Sequence, residues 1–336
     1  MKYYVFTLKF LTPVHFGDSA GGGGLEKALL SCSADTLFSA LCNEITDNQA
    51  VLNEFIAKAA SGKIIFSSLM PYYRDGDKDL QLYLPKPLLS GRVIPNPKQS
   101  FAETKQLATK LKKKKKEAYI RASKIKQLLK ELKTGQSDDR DVPDFAVPYV
   151  AAKVSMRGEK SLPYYVGSYQ FKENAGLYLV CGAEDEADID LIESTLISLG
   201  MSGIGGKRSS GYGKFELEDD RWEIDAESGV YEDDTALGAM LGKNAAPRQM
   251  CIAPVCPVCG QAARIKQGSY KLLKRSGFVS ACGLDNNVKR NSIFMLAEGS
   301  CFTERVQGRM VSLAVNGLNH KVYRNGVGMF VGLDDE

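Results

Sequence analysis

The alternation of side chains at the start of the chain predicts a β-strand. Residues 3–10 repeat with a period of two, which is the period of a pleated strand. The apolar residues between 37 and 45 fall on one face of a helix instead, with Ser33 or Asp35 in position to cap it. Residues 63–66 predict a second strand. The order strand, helix, strand is half of a split βαβ unit.

The middle of the chain is less regular in its pattern. Five prolines between residues 71 and 97 argue against regular structure there. The lysine-rich segment that follows fits one long helix over 102–132, or a helix that breaks at 118–120 and restarts with Ser123 as its N-cap. We favour the restart, because the cap, an apolar stripe with helical spacing and Gly135 after it agree with one another.

The remaining pattern predicts mostly strands. The expected elements are a long hairpin of residues 147–156 and 164–171, a buried strand at 177–181, an amphipathic helix started by Asp188, a glycine-rich loop at 203–213 and an alternating strand at 214–218. An acid-rich stretch at 219–234 is typical of a linker or a sheet edge. The last ninety residues are again strand-like, at 250–255, 269–281, 292–302, 311–313 and 327–333. This favours an α+β fold with two β-rich halves, each a sheet covered on one face.

Composition restricts the class of protein. The chain has 336 residues, 44% hydrophobic and 25% charged, which is enough for two domains. Its mean hydropathy is −0.21, and no apolar run reaches the ~18–20 residues of a membrane span, so we expect no membrane partner. The first residues lack the features of a signal peptide. Eight cysteines are far too few for a disulfide scaffold, which favours reduced thiols and a cytoplasmic location.

Positive charge is concentrated in one segment. Residues 101–133 hold twelve Lys and Arg against three Asp and Glu, whereas the rest of the chain holds 32 basic and 37 acidic residues. A basic segment in an otherwise mildly acidic protein indicates a polyanionic partner, or simply a solvated, self-repelling loop.

The glycine-rich loop carries the most specific chemistry. Five of the eleven residues 203–213 are glycine, and glycine tolerates the positive φ angles that let consecutive amides form an anion-binding nest. No Gly-Lys-Ser/Thr follows, and Arg208 replaces the third glycine of Gly-x-Gly-x-x-Gly, so we expect no nucleotide cofactor. The plain alternative is a flexible surface loop. The side chains that would add charge, hydroxyls and a stacking ring are Lys207, Arg208, Ser209, Ser210 and Tyr212.

This loop resembles a known family. Gly203-Ile204-Gly205 and Gly211-Tyr212-Gly213, separated by five residues, resemble the glycine-rich loop of the RAMP superfamily of CRISPR RNA-binding proteins. Further stretches are similar, in the right order, to the fourth-subunit family of the type III-A (Csm) effector complexes: 15–17 (HFG), 35–42 (DTLFSALC), 269–279 (SYKLLKRSGFV) and 322–329 (VYRNGVGM).

The resemblance implies a fold and a role. It implies two ferredoxin-like (RRM-like) domains, residues 1–228 with a basic insertion at about 95–160 and residues 247–336, joined by an acidic, flexible linker at 229–246. It also implies a non-catalytic subunit of antiviral defence that recognises the 5′ handle of crRNA and caps the interference complex. The implied neighbours are the large polymerase/cyclase-type subunit, the backbone RAMP subunit and, nearby, target RNA.

An RNA groove between two glycine-rich rims, 203–213 and 326–328, fits such a fold, because single-stranded RNA lies on open sheets and loop edges. Phe278 is equally explained as a core strand residue, and the lysine-rich segment 105–133 fits contact with RNA or with protein. The residues expected to bind RNA are His15, Gly17, Gly203, Gly205, Gly206, Lys207, Arg208, Ser209, Ser210, Gly211, Tyr212, Lys271, Lys274, Arg275, Phe278, Tyr323 and Arg324.

Two alternatives remain open. The superfamily includes crRNA-processing enzymes, so His15 is the candidate general base of an endoribonuclease, although nothing else in the sequence requires catalysis. Cys256 and Cys259 form half of a zinc knuckle, with Cys251, Cys282 and Cys301 as conceivable partners. A second close pair is absent from the sequence, so structural zinc is an alternative to buried or turn thiols, and no other cofactor is expected.

Overall fold

The computed structural model describes residues 1–17, 24–76, 79–89, 116–134, 142–157, 160–227, 229–277, 290–313 and 321–334, together with the single positions 105, 109 and 112. It is a mixed α/β protein with antiparallel sheets. The helices are α1 (Ala34–Glu44), α2 (Gln49–Ser61), α3 (Ile125–Thr134), α4 (Glu186–Ser202), α5 (Glu232–Gly242) and α6 (Ala262–Lys266).

The strands, in chain order, are β1 (Lys2–Phe10), β2 (Phe16–Gly17), β3 (Ala28–Leu29), β4 (Ile64–Phe66), β5 (Met70–Asp75), β6 (Asp79–Pro85), β7 (Tyr119–Arg121), β8 (Ala146–Arg157), β9 (Lys160–Phe171), β10 (Ala175–Ala183), β11 (Phe215–Leu217), β12 (Trp222–Glu223), β13 (Arg248–Cys251), β14 (Leu272–Arg275), β15 (Ile293–Leu296), β16 (Cys301–Phe302), β17 (Val311–Leu313), β18 (Val322–Arg324) and β19 (Phe330–Leu333).

The largest sheet has the order β11-β1-β10-β5-β6-β7, with β12 also on β1 and β4 also on β10. The central pair runs from Lys2↔Ala183 to Leu8↔Leu177. Val5 and Thr7 are as buried as Phe6 between them. The alternation in β1 therefore separates two covered faces of the sheet rather than a core face from a solvent face.

Helices α1, α2 and α4 connect the strands of this sheet. The path from β1 through α1 and α2 to β4, and from β10 through α4 to β11, alternates strands and helices as in a βαββαβ unit. Phe38 of α1 stacks on Phe55 of α2 with 5.5 Å between ring centroids, and both face Phe66 of β4. Helix α2 was not predicted, although Asn48 caps it and Gly62 ends it in the left-handed region.

The expectation of irregular structure between residues 71 and 97 is wrong for its first part, which forms β5 and β6. Both prolines of these strands lie at an end of the pairing that β6 makes, although Pro71 also pairs with Leu177 inside the register of β5 with β10. Pro71 precedes the register of β5 with β6, which begins at Tyr72↔Leu82, and Pro85 is the last residue of β6. The rest of the range lies largely outside the described residues.

The lysine-rich segment breaks near residue 120 and continues as a helix, as predicted, but the helix begins in a different way. Residues 119–121 form β7, a single 3₁₀ turn follows at 122–124, and α3 then buries its apolar stripe. The assignment of Ser123 as an N-cap is wrong: it lies inside the turn, and its peptide N–H donates to Asp233 Oδ1 at 2.8 Å. The cap acceptor comes from α5, more than a hundred residues away, which no local pattern indicates.

The expected flexible linker at 229–246 is also wrong, because α5 occupies most of it. Leu237 and Leu241 are buried in the main core, and the fully buried Asp233 accepts from Arg121 Nε at 2.7 Å and from the peptide N–H of Leu82 at 3.1 Å. The acidic residues that favoured a linker are therefore structural acceptors at the start of this helix.

The last part of the chain forms small antiparallel sheets, with β13 between β16 and β19 and with the pairs β14-β15 and β17-β18. Most of these strands are shorter than predicted, whereas β17 has the predicted bounds. Met250, Ile252 and Val331 belong to the same hydrophobic core as β1 and β10. The two halves of the chain thus share one main core, and a smaller hydrophobic cluster that includes Val255 and Phe302 lies within the last part of the chain.

Candidate nucleic-acid interface

Segments that are distant in sequence meet at one cleft of about 320 Å³. The loop 15–17, the glycine-rich loop, the segment 29–33, α1 and residues of the last third of the chain all contribute to its lining. The lining residues are His15, Phe16, Gly17, Leu29, Ser31, Cys32, Ser33, Thr36, Ser39, Ala40, Asn43, Gly203, Ile204, Gly205, Gly206, Arg208, Arg275, Ser276, Arg290 and Arg324.

The glycine-rich loop is closed by its own backbone. Helix α4 ends at Gly203, whose φ is 84° and whose N–H donates to Leu199 O at 2.7 Å. Ile204 is fully buried, and its N–H donates to Gly213 O at 2.9 Å. A Cβ on Gly213 would lie 2.0 Å from Ile204 O, so glycine is required there by close packing.

Gly205 and Gly206 bring this loop against His15. The N–H of Gly206 donates to His15 O at 2.8 Å, and a Cβ there would lie 2.7 Å from His15 Cδ2. The nest expected along the whole loop is therefore reduced, because most of its amides donate within the protein. Among the described residues, the amides of Gly205 and of 207–209 have no such acceptor.

The charged and aromatic residues of the loop point to two different places. Arg208 lines the cleft. Lys207, with φ 63°, instead places its Nζ 4.7 Å from the centroid of the Tyr164 ring, and Tyr212 receives Lys153 Nζ at the same distance. These cation–π contacts fix the loop to the β8-β9 hairpin. Residues 209 and 210 are exposed, and 211 is half-buried.

His15 is buried and held by the hairpin. Its Nδ1 lies 2.6 Å from Gly167 O. A carbonyl oxygen only accepts, so Nδ1 carries a hydrogen, and in the neutral ring Nε2 is the acceptor. Nε2 lies 3.7 Å from a Cβ built on Gly17, at the edge of the cleft. Nδ1 therefore positions the ring, and the ring belongs to the lining of the cleft.

Arg275 and Arg324 are buried around one carboxylate. Arg275 Nε lies 2.9 Å from Asp35 Oδ2 and its Nη2 lies 2.8 Å from Oδ1, while Arg324 Nη1 also bonds to Oδ2. Asp35 is fully buried in the first turn of α1. The sequence indicated the two arginines as RNA-binding residues but considered Asp35 only as a helix cap. Arg290 was missed because nothing in its own neighbourhood distinguishes it.

The charges at this end of the cleft affect one another. Burial lowers the pKa of Arg290 to about 10, and the charge of Arg324 adds to that effect. Burial also lowers the pKa of Arg324, which Asp35 offsets only in part. Burial acts in the same direction on Arg275, but its bonds and charge contact with Asp35 raise its pKa overall. The positive charges are thus only partly neutralised by the protein.

Other residues expected in the groove lie elsewhere. Lys271 and Lys274 are exposed at β14, on a strand whose Arg275 points inward. Tyr323 is half-buried and packs on the main core. Phe278 lies outside the described residues. The second rim, 326–328, does not line the cleft, since Gly326 packs against Cys256, where a Cβ would meet Cys256 Cβ at 2.5 Å.

The cysteines expected near a zinc site have mixed environments. Cys256 is buried and Cys259 is exposed, while Cys251 and Cys301 are buried in β13 and β16; Cys282 lies outside the described residues. In the described part of the chain, no three His, Cys, Asp or Glu side chains are grouped to hold a metal. Structural zinc stays a prediction. The helices in the described ranges include none with the length and apolarity to cross a membrane.

Comparisons with known proteins agree along the chain. The family model described as the CRISPR Csm4 C-terminal domain matches residues 244–333. "CRISPR system Cms protein Csm4" of Mycobacterium tuberculosis (strain CDC 1551 / Oshkosh) is 30% identical over 333 residues, which cover 96% of this chain and 95% of that protein.

Two solved structures share the fold. A chain of the Csm1-Csm4 cassette in complex with cA4 has a TM-score of 0.60 at 19% identity, covering 99% of this chain and 98% of that chain. A chain of the Csm3-Csm4 subcomplex in the type III-A CRISPR-Cas interference complex has a TM-score of 0.58 at 18% identity, covering 99% and 100%.

Together with these matches, the antiparallel α/β fold and its glycine-rich loop define a RAMP-type CRISPR protein, which confirms the resemblance read from the sequence. The match to the Mycobacterium tuberculosis protein extends over nearly the whole length of both chains. The chain belongs to the Csm4 family of CRISPR proteins.

Proposed function

We propose that this subunit binds the 5′ handle of crRNA in the cleft and caps one end of the type III-A complex, without catalysing a reaction itself. The observation that carries the proposal is the convergence of the loops 15–17 and 203–206 with Arg208, Arg275 and Arg324 at one cleft. Glycine backbone, hydroxyl groups and arginines are groups that bind RNA backbones.

The strand order supports a ferredoxin-like first half. The order β11-β1-β10-β4, with helices after β1 and after β10, is the arrangement that such a domain requires. We infer that residues 1–228 form this unit and that residues 247–336 form a second one, packed against it through the shared core.

A surface for neighbouring subunits is present on the β8-β9 hairpin. One face carries Val150, Val154, Met156 and Tyr165, all more than half exposed. The opposite face carries Lys153 and Tyr164, which contact the glycine-rich loop. An apolar face of this kind is typical of a protein interface. The related structures contain Csm1 or Csm3 beside Csm4. We infer that the backbone subunit covers the hairpin.

Two further partners belong to the same proposal. We infer that the large subunit also binds this protein and that target RNA passes nearby.

The test is affinity for handle RNA, a single-stranded RNA that carries the 5′ handle of the organism's own crRNA. We expect the full-length chain to bind it more tightly than an RNA with the same handle bases in shuffled order. Arg208→Ala should reduce this preference because Arg208 lines the cleft. The control Arg264→Ala, which removes an exposed arginine paired with Glu304, should not. Equal affinity for both RNAs would remove the proposed function.

The second candidate is a crRNA-processing endoribonuclease with His15 as general base. The observation in its favour is that Gly167 O holds Nδ1, which leaves Nε2 as the acceptor of a ring that lines the cleft. A general base accepts a proton from the ribose hydroxyl with such a nitrogen. Incubation with precursor repeat RNA distinguishes the two functions. Cleavage that His15→Gln abolishes would make this the function, and lack of any cleavage would exclude it.

A further inference from the structure

Three arginines surround one carboxylate where the cleft meets the start of α1. Arg275 and Arg324 share Asp35, and Arg290 lines the same end of the cleft. The charge of a second carboxylate, that of Glu298, also acts on Arg275. Glu298 already accepts a hydrogen bond from Ser68 Oγ at 2.6 Å. No aspartate or glutamate lines the cleft in the described part of the chain. Positive charge therefore exceeds negative charge at this end.

Two donors in this group have no acceptor. The Nε atoms of Arg290 and Arg324 are buried and make no hydrogen bond among the described residues. Arg324 is only 1% exposed, and the cleft that it lines with Arg290 is the side from which an acceptor would approach. A buried, unsatisfied N–H of a charged group is costly, which indicates that an acceptor belongs there.

The lowered pKa of Arg290 agrees with a missing negative partner beside Arg290 and Arg324. Burial and the neighbouring Arg324 lower the pKa of Arg290 to about 10, so the guanidinium is held in surroundings that disfavour its charge. An anion between the two arginines would reverse that effect, because opposite charge favours the protonated form.

We propose that Arg290 and Arg324 form a subsite for one phosphate group at this end of the cleft. Planar guanidinium groups match the oxygens of phosphate, and Arg side chains are suited to that geometry. Asp35 and Arg275 act as positioning residues, since their ion pair and the bond to Arg324 hold that side chain in place.

The remainder of the cleft indicates which phosphate. The lining residues Thr36, Ser39 and Asn43 follow one face of α1, over seven residues or about 10 Å. Gly205 and Gly206 line the same cleft. Uncharged hydrogen-bonding groups beside a phosphate subsite suit the sugar and base of a nucleotide. The ligand class is therefore a phosphate of single-stranded RNA, a step that rests on the proposed function.

The first experiment uses inorganic phosphate and the full-length chain. Thermal unfolding is followed at increasing phosphate, with chloride at the same ionic strength as the reference. We expect phosphate to raise the midpoint of the wild-type protein and to have no such effect on Arg290→Gln. Arg264→Gln, which removes an exposed arginine, should respond like wild type. No phosphate effect on wild type, or an equal effect on Arg290→Gln, would overturn the subsite.

The second experiment locates the phosphate in RNA. Handle RNAs that each carry one neutral methylphosphonate linkage, and handle RNAs with a 5′-phosphate or a 5′-hydroxyl, are compared in affinity. We expect one change to weaken wild-type binding about tenfold and to have no further effect on Arg290→Gln, which itself binds about tenfold more weakly. The position of that change shows whether the phosphate bound at the subsite is an internal linkage or the 5′-terminal phosphate. If every change is tolerated, the subsite is refuted.

The outcomes separate this inference from the function on which it rests. If the wild-type protein responds to inorganic phosphate but binds handle RNA no better than shuffled RNA, the subsite stands and the proposed function fails. If handle RNA is preferred but Arg290→Gln binds it as wild type does, the function stands and the subsite fails.

Discussion

Arg275 and Asp35, 240 residues apart in sequence, form a two-bond ion pair that connects β14 to the first turn of α1. Both side chains are buried, and Arg324 joins the same carboxylate from β18. One acidic residue therefore holds together the part of the cleft that the last third of the chain contributes.

Asp35→Ala is expected to destabilise the protein strongly. The substitution leaves Arg275 and Arg324 buried without their carboxylate, and removing one partner of a buried pair costs about 3–5 kcal/mol. Urea unfolding of the full-length chain measures the change. Asp47→Ala, at an exposed position after α1, is the control and should stay close to wild type. Equal stability of the two variants would contradict the structural role of Asp35.

Gly206→Ala is expected to disturb His15. The added Cβ would lie 2.7 Å from His15 Cδ2, so the ring must shift, at a cost of about 1–3 kcal/mol. A lower thermal midpoint and weaker binding of handle RNA should appear together. Gly242→Ala, where a Cβ meets nothing within 4 Å, is the matched control. A Gly206→Ala protein with normal binding would show that the ring position is unimportant for RNA.

Val154→Asp is expected to impair assembly without impairing folding. Val154 is 61% exposed on the apolar face of the β8-β9 hairpin, so a charge there costs little in the free subunit but is unfavourable in an apolar interface. Co-purification with the backbone subunit measures assembly, and thermal unfolding measures folding. Val147→Asp places the same charge on the other face of the hairpin and should assemble normally. Equal assembly by both variants would exclude this face as the interface.

Thiol reactivity should separate the cysteines. Burial raises the pKa of Cys42 and of Cys301 to about 12, so even at pH 9 only about one thiol in a thousand is the reactive thiolate. In a Cys282→Ser background, alkylation between pH 7 and 9 should occur at the exposed Cys259 and be lost in Cys259→Ser. Labelling that appears only after a chelator is added, with stoichiometric zinc by elemental analysis, would instead support the zinc prediction.

Salt dependence provides a check on the role of Arg208. If its guanidinium neutralises one phosphate, Arg208→Gln should reduce the slope of log affinity against log salt by about 0.7, the value for single-stranded nucleic acid. Binding of handle RNA over a range of salt concentrations measures the slope. Arg264→Gln should leave it unchanged, and an unchanged slope in Arg208→Gln would remove the contact.

Local patterns predicted the elements whose signals are local. Strand-like patterns of apolar residues predicted the β8-β9 hairpin and the buried strand β10. Apolar residues at helical spacing predicted α4, and the five glycines after it predicted the loop. The prolines at 71 and 85 misled because each lies at an end of the pairing of β6, where a missing N–H is tolerated, although Pro71 also pairs with Leu177 of β10. The acidic start of α5 resembled a linker because its acceptor role depends on Arg121 and Leu82, which lie far away in sequence.

The cleft could be predicted only in part, because some of its residues form a local motif and others depend on contacts with distant parts of the chain. Gly205 and Gly206 are recognisable as a motif, and the structure places them against His15. Asp35 looked like an ordinary helix cap, because its two arginine partners come from strands near the other end of the chain. Only the packing of both halves brings these charges together, and one sequence does not contain that information.

The core that both halves share also determines how the protein can be divided. Met250, Ile252 and Val331 lie within residues 244–333, the range of the C-terminal family domain, yet they pack in the hydrophobic cluster of β1 and β10. Cutting the chain before residue 244 would leave a fragment with this surface bare to water and prone to aggregate. The C-terminal family domain therefore packs its apolar side chains against the first half of the chain, and we expect expression of both halves together to keep this shared surface covered.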